Sequence, residues 1–184
     1  MTITSLRQLA NFLSKYPPTG RVADYGGTEK IGAEIVRKMF ELSKIKVVQP
    51  DEKDPFEILI EGKPRKNDAK YIVLDFDNGI DLREPIKDGN FDSGICMDLL
   101  EHTSNPFVVA ENISNSLKKG AILFVTVPWV WEIHYHPKDY WRFAPQGLEE
   151  LFPKMKVLSM DIVRDQSYGE ELPRQRLVAV FKKK

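Results

Sequence analysis

Apolar positions along this chain recur with two different periods, and each change of period marks an element. Leu6, Leu9, Ala10, Phe12 and Leu13 share one face at helical spacing, which predicts a helix capped by Thr4 or Ser5 and running to about Lys15. Pro17 and Pro18 close it, since neither can donate to a helical ladder. Arg21 to Tyr25 then reads as a short strand ending at Gly26-Gly27. Thr28 is placed to cap a second helix from Glu29 to about Leu42, with Ile31, Ile35, Val36, Met39 and Phe40 as its stripe. Tyr71 to Phe76 is apolar enough to be a buried strand, Gly79 to Leu82 a brief extended piece, and 87–90 a turn.

The stretch from Phe91 to Pro128 carries the strongest pattern. A strand is followed by an amphipathic helix (Pro106 to Leu117), a Lys-Lys-Gly turn and a second, almost wholly apolar strand. This is a βαβ unit, whose parallel strands need a crossover helix and lie buried on both faces. Beyond it come an aromatic segment (129–143), a short helix from Pro145 to Phe152, and two alternating strands, Lys156 to Val163 and Leu177 to Phe181. Between the second helix and Tyr71, Ile45 to Val48 and Phe56 to Ile60 are candidate strands joined by a polar turn at 51–55, and 61–68 is a loop by composition. With no repeat and no linker, residues 1–184 read as a single domain: a doubly wound α/β sheet, mostly parallel, finished by an antiparallel terminal strand.

Composition narrows the function classes. Of 184 residues, 27 are Lys or Arg and 27 Asp or Glu, so the net charge is zero and nothing suggests a non-specific nucleic-acid binder. The N-terminus lacks a signal-peptide layout and no apolar run approaches ~18 residues, so a cytoplasmic protein without a membrane segment is the expectation. Cys96, the single cysteine, cannot form an intramolecular disulfide. Self-association is left open.

In open α/β sheets ligands gather at the carboxyl ends of strands, and the run Asp98-Leu99-Leu100-Glu101-His102 falls at one such end. That Leu-Glu-His run, the Lys-Lys-Gly turn before the following strand, and His136-Pro-Lys-Asp-Tyr-Trp-Arg-Phe-Ala-Pro145 together resemble a class I S-adenosylmethionine-dependent methyltransferase of the type 11-like kind. The resemblance extends from Arg21 onward. It implies a Rossmann-like sheet, S-adenosylmethionine as cofactor, and methyl transfer to a small or modest-sized acceptor. Val22, Ala23, Asp24 and Gly26 match the opening of that family's first motif, whereas Thr28 and Lys30 stand where it usually has glycines.

The resemblance implies cofactor-binding roles for Asp24, Gly26, Gly27, Asp75, Asp81, Leu82, Met97 and Asp98. Asp75 takes the ribose-binding acid's place, with Asp77 as a near alternative. A rival register makes Ile45 to Gln49 the second strand and Asp51 the acid. With Asp75 as the acid, residues 45–70 are an inserted hairpin or extended loop. On the substrate side, proton removal from a hydroxyl or amine acceptor calls for a base, and His134 or His136, oriented by Asp139, is the candidate. Trp129, Tyr140 and Trp141 would wall the acceptor site, and Arg142 could pair with an acceptor carboxylate or phosphate. Glu101 beside His102 offers no further ligand at useful spacing, so no metal is expected and His102 reads as a loop-ordering residue. The alternative is a non-catalytic methyltransferase-like subunit with a degenerate glycine loop, which binds a partner. A nicotinamide-dependent oxidoreductase on a related sheet would leave the Leu-Glu-His run and the aromatic segment unexplained.

Overall fold

Each face of a central sheet is closed by its own apolar cluster, and the alternation along single strands shows why. In β1 (Arg21–Tyr25), Val22 enters one cluster while Ala23 and Tyr25 enter the other. In β5 (Phe91–Met97), Ile95 and Cys96 divide in the same way. Strands buried on both faces must be nearly all apolar, which is what makes the 91–128 stretch so legible. The computed structural model describes residues 3–27, 31–48, 59–64, 69–75, 79–135, 138–164 and 174–184.

The chain runs α1 (Ile3–Lys15), β1, α2 (Ile31–Phe40), β2 (Leu42–Val48), β3 (Leu59–Pro64), β4 (Lys70–Leu74) and β5. A short 3-10 turn at Leu100–His102 precedes α3 (Pro106–Ser116), β6 (Leu117–Val130), α4 (Pro145–Leu151), β7 (Met155–Arg164) and β8 (Gln175–Lys183). The six-stranded sheet has the order β4-β1-β5-β6-β8-β7. The first four strands are parallel; β8 lies antiparallel to β6 and to β7. The fold is thus the Rossmann-like mostly parallel sheet with an antiparallel terminal strand. One face is packed by α3 and α4, through Val109, Ile113, Leu148 and Leu151. The other is packed by α1 and α2, through Leu6, Leu9, Phe12, Val36 and Met39.

Several elements depart from expectation for identifiable reasons. β2 and β3 form a separate antiparallel hairpin, with Ile60 in the α1/α2 cluster. The stretch 61–64, loop-like by composition, extends as strand because pairing with β2 satisfies its backbone. The hairpin excludes the rival register: β4, not β2, lies beside β1, so Asp75 follows the neighbouring strand. The Lys-Lys-Gly turn is absorbed into β6 as an irregularity, with Gly120 at φ +84°. Gly79 to Leu82 forms a turn instead of an extended piece: the Ile80 N–H donates to the Asp75 carbonyl at 3.0 Å. Residues 28–30, 51–58 and 65–68 lie outside the described ones, and with them the Thr28 cap, the Thr28 and Lys30 departures, Asp51 and the 51–55 turn.

Local chemistry sets the ends of the crossover helix. The Asn105 side chain accepts the Val108 N–H at 3.3 Å, and Pro106 occupies the first turn, where its missing N–H costs nothing. Near the sheet's centre, Gly94 is surrounded so closely that an added Cβ would stand 2.7 Å from Tyr25 Cε2 and 3.0 Å from Leu123 Cδ1. Gly94→Ala is therefore expected to destabilise the protein by about 1–3 kcal/mol through overpacking. Urea denaturation measures it, and an unchanged midpoint would contradict this packing.

Candidate active site

The parallel strands end together on one edge. Along the chain, β1 is followed in the sheet by β4 on one side and by β5 on the other, so connections leave in opposite directions between β1 and β5. Such a reversal opens a crevice outside the carboxyl ends, where ligands of doubly wound sheets bind. Its rim is Gly26-Gly27 after β1, Asp75 after β4, and Asp98-Leu99 after β5. Met97, the last residue of β5, is partly buried against the α1/α2 cluster.

Backbone shape at this rim depends on glycine. Gly26 has φ +78°, and a Cβ there would stand 2.7 Å from Leu99 Cδ1; its N–H donates to the Leu74 carbonyl at 2.8 Å. A Cβ on Gly27 would run into the Asp24 carboxylate. That carboxylate is buried beneath the loop and accepts a hydrogen bond from the Tyr71 hydroxyl. Burial pushes the Asp24 carboxyl up to about 6, despite the Tyr71 donor, and nearby Asp75 adds to the rise.

The other acids are largely matched internally. Asp98, at φ +50°, accepts two hydrogen bonds from Arg176 Nη1, one on each oxygen at 2.7 Å, and a third from Thr126 Oγ1 at 2.8 Å. Burial works against its ionisation, but the Arg176 guanidinium outweighs that and holds the carboxyl below the usual range. Its charge is already met by a cation of the protein, which corrects the expectation that it faces a cofactor's amino end. Asp81 is clasped by Arg83, whose side chain and backbone N–H hold its carboxyl at about 2. Leu82 is buried in the α3/α4 cluster, with its carbonyl accepting from Asn112. The Leu82 side chain therefore fills the core and does not face an adenine as expected. Asp77 lies outside the described residues.

The segment after β6 folds back over the 3-10 turn. The Tyr140 N–H donates to the Glu101 carbonyl at 2.7 Å, and Trp141 Nε1 donates to the Thr103 carbonyl at 2.9 Å. Arg142 is the clamp of this segment. Its five N–H groups reach both Asp139 oxygens and the carbonyls of Trp131, Glu132 and Trp141, at 2.6 to 3.1 Å. A guanidinium has five donors and all are engaged, so Arg142 is not an acceptor-binding residue as expected. Its hydrogen bonds hold the Asp139 carboxyl at about 2.

Asp139 does stand beside His134, as anticipated. Its Oδ2 accepts the His134 backbone N–H at 2.8 Å and lies 3.0 Å from His134 Nδ1. Desolvation lowers the His134 pKa, reinforced by the neighbouring His102 and Arg142. His136 lies outside the described residues. Trp129 packs on the core, whereas Tyr140 (46% exposed) and Trp141 (39%) present aromatic surface. Exposed Ile133 and Tyr135 extend it.

Sequence reasoning misses Arg176 altogether and the surroundings of Glu101. Arg176, 4% exposed, joins β8 to Asp98 and lies over the Trp131 ring at 4.9 Å. Its signal was a cation within an apolar strand pattern. Glu101, fully buried, has neither carboxylate oxygen in a hydrogen bond. His102 Nε2 is 3.6 Å and His134 Nε2 4.0 Å from its Oε1. His134 comes 32 residues after His102, so no local spacing could have shown the meeting.

No protein-family model matches the sequence, and no curated protein does. Solved structures do resemble it. The [4+2]-cyclase SpnF superposes with a TM-score of 0.65 at 14% identity, over 98% of this chain and 81% of that one. The Burkholderia thailandensis 1,6-didemethyltoxoflavin-N1-methyltransferase, solved with S-adenosylhomocysteine, gives 0.60 at 14% identity, over 97% and 78%. A putative methyltransferase from a complex with the Haloferax volcanii Trm112 methyltransferase activator gives 0.60 at 18%, over 98% and 89%. The fold is therefore that of the class I S-adenosylmethionine-dependent methyltransferases. Among the described residues no helix is long and apolar enough to cross a membrane.

The raised Asp24 pKa makes a signed statement about stability. The folded protein holds a proton that the unfolded chain releases near 3.8, so this group's contribution is full below that pH and is lost as pH rises through about 6. The loss is on the order of 3 kcal/mol. Asp24→Asn cannot titrate, so urea unfolding should show a flatter fall in stability across this window than in the wild type. Identical slopes would contradict the burial of the carboxylate.

Proposed function

We propose that this protein is an S-adenosylmethionine-dependent methyltransferase acting on a small or modest-sized acceptor. The observation that carries the reading is the reversal of strand order at β1/β5, where backbone without side chains at Gly26-Gly27 closes over Asp24 and Asp75 follows the adjacent strand. A Cβ at Gly26 would strike Leu99 and one at Gly27 would strike Asp24, so the loop here is bare backbone with its N–H groups uncovered by side chains, and a carboxylate beyond the neighbouring strand suits ribose hydroxyls. The residues present fit the cofactor. Asp75 would hold the ribose, the 26–27 backbone the polar end, and Met97 an apolar wall. When bound, S-adenosylmethionine supplies an electrophilic methyl group on a sulfonium.

The chain's own part in the reaction lies in the segment after β6. Tyr140 and Trp141 offer aromatic surface to an acceptor, and Trp129 backs them from the core. His134, steadied at its Nδ1 side by Asp139, is the group to receive the acceptor's proton. Asp139 acts here as a positioning residue, itself fixed by Arg142. A second reading, a non-catalytic subunit that binds a partner, draws support from the likeness to a methyltransferase complexed with an activator.

Calorimetry with S-adenosylhomocysteine tests the proposal. Binding is expected in the wild type, weakened about 10-fold or more in Asp75→Ala, since a hydrogen bond to a charged group is worth roughly 1.5–3 kcal/mol. Gly26→Val should abolish it. Absence of heat with both S-adenosylmethionine and S-adenosylhomocysteine would refute the enzymatic reading and favour the partner subunit.

A further inference from the structure

Glu101 differs from the two acids whose charges it feels, Asp98 and Asp139. Asp98 is paired with Arg176 and Asp139 with Arg142, so each of these couples is close to neutral. Glu101, with its side chain 1% exposed, has neither a hydrogen bond nor a guanidinium of its own. A buried carboxylate in that position is costly unless a proton or a cation meets it.

Two imidazole nitrogens converge on the same oxygen. Nε2 of His102 and Nε2 of His134 are 3.6 and 4.0 Å from Glu101 Oε1, and one ligand atom from each of the three residues lies within 4.8 Å of the others. Bonds of about 2.0–2.1 Å around a tetrahedral ion place ligand atoms roughly 3.4 Å apart, so modest side-chain adjustments suffice.

The outer shell favours the metal-ready state of the His102 ring and sets a carboxylate beside the His134 ring. His102 Nδ1 is 2.6 Å from the Lys138 carbonyl, an acceptor that requires Nδ1–H and leaves the Nε2 lone pair free. His134 Nδ1 is 3.0 Å from Asp139 Oδ2, off the line of a good N–H donation but close enough for the carboxylate to raise the ring's basicity. Asp139 is in turn locked by Arg142. A ligating histidine whose second nitrogen faces a carbonyl or carboxylate is the arrangement that orients metal sites.

We propose that Glu101, His102 and His134 form a binding site for one divalent transition ion of the zinc class. Two imidazoles and one carboxylate select such an ion over calcium or magnesium, which prefer all-oxygen sets. Three protein ligands leave a fourth position for water or another small ligand. The ion would use the same His134 lone pair as a proton, so ligation and proton acceptance exclude each other. The site does not depend on methyl transfer and stands or falls separately from it.

The test uses the full chain stripped with a chelator and titrated with Co²⁺, followed by ligand-field absorption, and with Zn²⁺ against a chromophoric chelator. One equivalent should bind, and Zn²⁺ should raise the thermal midpoint of the wild type. Glu101→Gln should lower the affinity at least about 100-fold, and Asp139→Asn about 10–100-fold, as outer-shell changes do. If Glu101→Gln does not fold, His102→Gln and His134→Gln, both at partly exposed positions, give the same reading. Absence of stoichiometric binding by the stripped wild type, or equal affinity in folded Glu101→Gln, would overturn the proposal and leave Glu101 as a protonated core acid.

Discussion

The rest of the molecule depends on the parallel alignment of β4, β1, β5 and β6, which brings four strand ends to one edge. Each end needs backbone that turns abruptly without a long loop. Gly26 at φ +78° and Asp98 at φ +50° provide it at the two central strands. Glycine adopts such values freely; aspartate does so at modest cost because its short side chain is held locally. At Asp98 that hold comes from Arg176 and Thr126. The antiparallel β8 thus does more than extend the sheet beyond β6, because it delivers the cation that fixes the end of β5.

Electrostatic pairing then decides which groups stay available for chemistry. Asp81, Asp98 and Asp139 each hold an arginine, and Arg142 spends every donor on its own segment. These pairs make a rigid frame of polar side chains around the crevice, and within it Asp24 and Glu101 are the acids whose burial raises their pKa. Perturbed acids cluster where function needs them, though structural networks perturb them too. A fold of this kind also hosts different activities, as the likeness to a cyclase illustrates, so the argument for function has to come from the site.

Much of this was legible in the residues because strands buried on both faces and helices with one apolar stripe leave strong periodic signals. The βαβ unit and the order of the elements around it follow from them, whereas the place of Asp75 beside Gly26 rests on the family resemblance, because periodicity alone leaves Asp51 open. The limits are equally physical. The polar extension of β3 through 61–64 is held by backbone pairing with β2, which composition does not report. Leu82 looks the same in sequence whether it lines a ligand or fills a core. Arg142 could be read as substrate-facing because its partners, mostly backbone carbonyls, carry no residue signature. The meeting of Glu101 with His134 depends on Tyr140 and Trp141 fastening the later segment to the 3-10 turn, a long-range contact invisible to spacing.

Backbone amide shifts in an NMR titration with S-adenosylhomocysteine bear most directly on the central claim, because they report location as well as binding. Saturable shifts should concentrate at Gly26, Gly27, Asp75, Asp98 and Leu99, with the β7 edge strand unaffected. Shifts absent from those five amides, or centred elsewhere on the sheet, would contradict a cofactor site at the β1/β5 reversal.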